Sequence, residues 1–189
     1  MQFNEKKAAQ VAAFFLFRAD GRLEILKLMK LMYLAERNSF AKYGEPMIGD
    51  QLFSMENGPV LSRTLDHMNH FVDSTEGGWN TWVRDRKDYM LALNKAVKDP
   101  KQDLPQLSDA DLAILESVWQ QYGHLKPFDL ADLTHKICPE WEDPKGSVLL
   151  IPYGRLLRFV GYDPDVAEEL EQRIASQQDI DSVFSKEIS

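Results

Sequence analysis

Apolar residues fall at helical spacing over most of this chain, interrupted by short extended runs and by glycine or proline. Residues 4–17 form the first such stretch, with Asn4 placed to cap it by accepting from a free amide of the first turn. Asp20-Gly21 ends it. Residues 22–43 form the second and most apolar stretch. At about 100° per residue, Ile25, Met29, Met32, Tyr33, Phe40 and Tyr43 share one face of it. Leu26, Leu28, Leu31, Leu34 and Ala35 spread apolar character round most of the remaining circumference, and only Lys27, Lys30 and Arg37 mark a polar stripe. The pattern predicts a central helix with neighbours on several sides. Gly44 caps it and Pro46 prevents its continuation.

Beyond it, residues 52–55 (Leu-Phe-Ser-Met) read as extended. Gly58-Pro59 is expected to open a third helix, residues 60–72, because proline at a first helical position loses no hydrogen bond. Leu61, Leu65, Met68 and Val72 then fall on one stripe. After a loop at 74–78, residues 81–83 and 89–93 read as a hairpin connected through 84–88, with 52–55 as a third strand; 90–97 also suits a helix. Residues 99–105 are a polar link with two prolines. Ser108 and Asp111 give the capping-box spacing at the start of a helix ending at Tyr122-Gly123. A short helix with Asp129 as its N-cap stops at Cys138-Pro139. Residues 147–151 read as extended or as a helix lead-in, 152–160 as helical, 164–175 as the last helix, and 177–189 as frayed. The expected fold is mainly α, a compact multi-helix domain with a small antiparallel hairpin or three-stranded sheet. Its domain is placed at residues 1–162, followed by an acidic helix and tail at 163–189.

Composition narrows the chemistry. The chain has 189 residues and 44% hydrophobic content, enough for a real core, and no apolar run approaches a membrane span. The apolar stretch at 11–17 is followed at once by Arg18 and Asp20, so it reads as a core helix and not as a leader. A single cysteine, Cys138, forms no internal disulfide and fits a reducing, cytoplasmic setting. Net charge is −8, and residues 163–189 carry eight acids against two bases. That balance disfavours nucleic acid and favours a basic protein partner, or serves solubility alone.

Candidate site residues are few. No nucleotide-binding glycine motif and no His-Glu-x-x-His is present, and no cofactor is expected. His67 and His70 lie three apart on the face assigned to solvent, a weak metal pair, and no metal is expected there. His135 with Cys138 raises a cysteine nucleophile, but Pro139 follows and no orienting residue is evident, so no catalytic residue is assigned. Arg84, Arg86, Lys87, Lys95, Lys98 and Lys101 surround Trp79, Trp82 and Tyr89, but Asp85, Asp88, Asp99 and Asp103 break up a nucleic-acid surface. Glu36 falls inside the apolar face of the central helix. A bare carboxylate there is costly, so it is expected to accept backbone amides from the Gly58-Pro59 loop, or to face a partner or carry a proton.

Several separated pieces stand in a telling order: Lys27-Leu28 to Leu34-Ala35, Tyr43-Gly44 with Pro46, Gly58-Pro59-Val60, Tyr122-Gly123, Leu133-Thr134-His135, and then Trp141. In that order the chain resembles the Panacea domain, the SocA-like antitoxin domain found in bacterial and phage-associated proteins, over roughly residues 7–160. The resemblance implies a non-enzymatic antitoxin that neutralises a cognate protein toxin by direct binding. The rival readings are an adaptor that delivers the toxin to a cellular protease, and a hydrolase using His135 and Cys138. Trp79, Trp82, Trp141 and His135 are the expected partner-binding residues, with core packing the alternative for each tryptophan. Glu36, Gly58 and Pro59 are expected to be structural. Homo-oligomerisation is left open.

Overall fold

The computed structural model describes the backbone of residues 3–187, and the side chains of these residues other than 85–87, 178, 179 and 181–187. Among the described residues the chain is mainly helical, with two small three-stranded antiparallel sheets. Helix α1 (Glu5–Arg18) begins as its sequence indicates, with Asn4 Oδ1 accepting from the Lys7 amide at 2.9 Å. Asp20 and Gly21 both take positive φ and turn the chain sharply.

The next three residues depart from expectation. Arg22–Glu24 is strand β1, not the first turn of the central helix. It pairs antiparallel with β5 (Met90–Leu93), Leu23 opposite Leu91, and this distant pairing settles a polar-apolar-polar triplet that suits either state. Helix α2 (Ile25–Tyr43) then runs through the centre of the molecule, packed against α1, α6 (Asp109–Tyr122), α7 (Pro127–Ile137) and α8 (Tyr153–Phe159). Gly44 ends it in the left-handed conformation, its amide donating to the Phe40 carbonyl at 2.9 Å.

The Gly58-Pro59 helix start is overturned. Residues Leu52–Met55 form β2 and Gly58–Leu61 form β3, a hairpin in which Phe53 faces Val60 and Ser54 faces Pro59. Helix α3 (Ser62–Met68) follows, shorter than expected, and Val72 lies outside it and exposed. Asp50 holds its first turn by accepting from the Arg63 and Thr64 amides at 2.9 and 2.8 Å. On its other side β2 pairs with β6 (Leu149–Ile151), giving the order β3-β2-β6.

A third correction concerns the other hairpin. Trp79–Trp82 is the helical turn α4, anchored where Glu5 accepts the Trp79 amide at 2.8 Å. The strands are β4 (Val83–Lys87) and β5, joined at Asp88-Tyr89, where both residues take positive φ. This hairpin joins β1, in the order β1-β5-β4, and not residues 52–55. The polar link contains the turn α5 (Pro100–Asp103). Helix α6 starts with the expected capping box between Ser108 and Asp111. Helix α7 starts before Asp129, with Lys126 as N-cap and Pro127 in the first turn.

Helix α9 (Pro164–Glu187) continues well past residue 175, through most of the stretch expected to fray. Ala167 and Ile174 on it are buried, and Leu170 reaches Gly44 at the end of α2. The core gathers α1, α2 and the strands around fully buried Phe15, Tyr33, Phe40 and Trp79. No helix among the described residues is long and apolar enough to cross a membrane.

Candidate partner-binding site

Lys30, Tyr33 and Arg37 recur at helical spacing on the side of α2 that meets α7 and the loop after it. The sequence puts Lys30 on a polar stripe with Lys27 and Arg37. It is 1% exposed, and its Nζ donates to the Pro59 carbonyl at 2.8 Å. Burial lowers its pKa to about 7. Tyr33 Oη and Arg37 Nε both donate to Glu140 Oε1, at 2.9 and 2.8 Å, and Glu140 is fully buried. Such a desolvated bridge fixes geometry more than it adds stability.

Cys138 lies in the same interior, and burial, reinforced by the Glu140 carboxylate, pushes its thiol up to about 12. A nucleophilic cysteine needs the opposite, a depressed pKa beside a cation and access to substrate. The pairing of His135 with Cys138 as a hydrolytic centre therefore lacks an activated thiol.

The β2–β3 turn closes directly on α7. Gly58 has φ +95°, and a Cβ built there would sit 2.7 Å from Thr134 Oγ1 and 3.2 Å from both His135 Nε2 and Lys30 Nζ. Only glycine supplies that backbone shape and that clearance. The His135 ring stacks on Trp141 with centroids 4.2 Å apart, and Trp141 Nε1 donates to the Met55 carbonyl at 3.0 Å. His135 Nε2 is buried and has no hydrogen-bond partner. Burial, with the Lys30 charge second, lowers the His135 pKa, which keeps the ring neutral. Gly58-Pro59, Thr134-His135 and Trp141, far apart in sequence, thus meet at one hairpin tip.

Adjoining the same hairpin, and sharing Lys30, Met55 and Gly58 with its tip, is a cavity of about 630 Å³, bounded by the start of α2, the β2–β3 strands and the start of α7. Ile25, Met29, Val60 and Leu65 line it. At its edge Phe128 and Tyr89 are 70% and 72% exposed. In the sequence Tyr89 reads only as the start of a strand beside basic residues and Phe128 carries no distinguishing pattern, because the exposure of each depends on where two loops end.

Other expected site residues lie elsewhere. Trp79 and Trp82 are 1% and 3% exposed, so both are core residues with no surface to offer a partner. His67 is buried and stacked between Phe3 and Trp79, not on a solvated face, and no group of three or more potential metal ligands occurs among the described residues. Glu36 does accept backbone amides, but from Met47, Ile48 and Gly49 at 2.8, 2.9 and 3.0 Å, not from the Gly58-Pro59 loop. Burial outweighs these bonds and raises its pKa to about 7. Of the basic cluster, Lys95 lies over the Trp82 ring and Lys101 pairs with Asp109; the side chains of residues 86 and 87 lie outside the described residues.

Buried cations and carboxylates of the helical frame are thus engaged in holding loops, beside an open apolar cavity. The family model for the antitoxin SocA-like, Panacea domain matches residues 28–142, more than half of the chain, and the protein belongs to that family. The match starts in α2 and ends just past Trp141, so it spans the hairpin-tip site and is narrower than the 7–160 region of resemblance. No curated protein and no solved structure matches the chain.

Proposed function

We propose that this protein is the antitoxin of a toxin–antitoxin pair, and that it silences a cognate protein toxin by binding it, with no covalent step. The family match over residues 28–142 is the observation that carries this reading. The site chemistry agrees with it. Lys30 is engaged by Pro59, Tyr33 and Arg37 by Glu140, and Trp141 by Met55, so the polar side chains hold shape in place of attacking a substrate. Of the residues expected to meet a partner, Trp141 and His135 remain: both are half-buried and share the hairpin tip. The excess negative charge of residues 163–189 steers a basic toxin toward the chain before contact forms. The setting is the cytoplasm, where an unpaired, buried cysteine is undisturbed.

The test is to express the product of the neighbouring reading frame alone and together with this chain. Arrested growth alone, restored growth together, and co-elution of the two proteins are the expected results. Arrest that persists despite soluble expression of this chain contradicts the proposal.

A further inference from the structure

We propose that the cavity beside the β2–β3 hairpin seats the toxin's principal anchor, an aromatic or aliphatic side chain on a segment flanked by lysine or arginine. The inference rests on the antitoxin reading above and names the surface and partner chemistry it requires. A cavity of about 630 Å³ with apolar walls at Met29, Val60 and Leu65 is large enough to take one large side chain with its neighbours. Phe128 and Tyr89 stand exposed at its edge, a placement typical of aromatic residues that contribute most to interfaces.

The apolar surface does not stop at the cavity. In the antiparallel register Val60 faces Phe53, and Phe53 faces Leu150. Residues directly opposite each other share a face of the sheet, so this row leads from the cavity wall to exposed Leu150 on the edge strand β6.

Charge selects the occupant. The acidic and basic residues lining the cavity are Glu24, Glu56 and Lys30. Glu56 is exposed in the hairpin turn and Glu24 precedes α2, whereas the Lys30 amine is buried and turned to the Pro59 carbonyl. The mouth is therefore negative. A segment carrying cations beside its apolar residue is attracted, and an acidic one is repelled. A second copy of this chain is a poor occupant on the same ground, because pairing two such mouths brings their carboxylates together and the chain's net charge is −8.

The experiment measures the affinity of the full chain for the purified product of the neighbouring reading frame, at low and moderate salt. The variants are Phe128→Asp, Glu56→Lys and, at the far end of α2, Ala41→Gln, an uncharged change at an exposed residue. Aspartate in the first turn of α7 suits the helix dipole, so Phe128→Asp is expected to fold, which circular dichroism checks. Phe128→Asp should raise Kd about tenfold or more. Glu56→Lys should raise it several-fold and flatten its salt dependence. Ala41→Gln should leave Kd within about twofold of the unaltered chain. If the first two variants bind as tightly as the unaltered chain, the toxin uses another surface and the inference fails while the antitoxin reading stands. If Phe128→Asp instead converts a dimer of this chain to monomers with toxin affinity unchanged, the cavity belongs to a second copy and the inference again fails. If the unaltered chain does not bind that product, the antitoxin reading itself is overturned and the inference with it.

Discussion

Lys30 and Glu36 bring opposite charges into the interior from the same helix, and they respond to pH with opposite signs. Glu36 is raised from 4.5 to about 7, so between those values the folded chain holds a proton that the unfolded chain releases. Its contribution to stability therefore falls as pH rises through that window. Lys30 is lowered from 10.5 to about 7, so above pH 7 the unfolded chain holds a proton that the folded chain has lost. Its contribution rises with pH toward 10.5. Urea unfolding at pH 7 and pH 9 should show Lys30 adding roughly 2 kcal/mol over that interval, a gain absent from Lys30→Met. An identical pH response in the two proteins would mean that Lys30 is hydrated and charged when folded. At this scale the sequence was partly legible. The position of Glu36 on an apolar face required that it be satisfied, but its partners, Met47 to Gly49, lie in a loop whose path no periodicity specifies. The burial of Lys30 was not legible, because a polar stripe of three cations does not show which of them α7 and the β2–β3 hairpin cover.

The β2–β3 hairpin is the element on which both parts of the site depend. Gly58 has positive φ and no room for a Cβ beside Thr134, His135 and Lys30. Gly58→Ala should destabilise the chain by about 2 kcal/mol or more, from backbone strain and from displacing α7. Chemical denaturation checks this, and an unchanged midpoint would mean that the turn is free to reshape. Gly-Pro before a helical stripe is a sound helix-start signal, and it lost here because β2 offers β3 a full antiparallel register. Strand pairing between separated segments is what local pattern conveys least, which also explains β1 and the second hairpin. The α6 start was legible because the capping box is satisfied within four residues. The C-terminal helix divides by packing. Ala167, Leu170 and Ile174 pack against the body, whereas Ile180 is 50% exposed. Ending the chain after Gln177 should leave its melting temperature within about 2 °C, whereas ending it after Tyr162 should cost several kcal/mol, of order 2 per buried side chain lost. Equal melting temperatures for both truncations would show that α9 contributes nothing to the fold.

As a whole molecule, the chain is a helical frame around α2 with a hairpin tip and a cavity on one side and acidic character at one end. Family membership was legible from the order of separated short pieces, several of which map to joints of the frame: Gly44 ends α2, Gly58-Pro59 meets Lys30, and Thr134-His135 with Trp141 grips the hairpin. The tryptophans chosen as anchors were legible only as aromatic residues. Burial of Trp79 and Trp82 follows from the packing of α1 against α4, which no pattern within residues 79–82 encodes. Membership does not itself distinguish silencing by occupancy from silencing by turnover, and stoichiometry does. The most direct measurement titrates the purified product of the neighbouring reading frame with this chain and follows the residual toxic activity. Silencing by binding gives a linear fall that ends at a fixed molar ratio near one or a small integer, with full activity recovered when the two proteins are separated. Complete, irreversible silencing by a small fraction of an equivalent of this chain would contradict it.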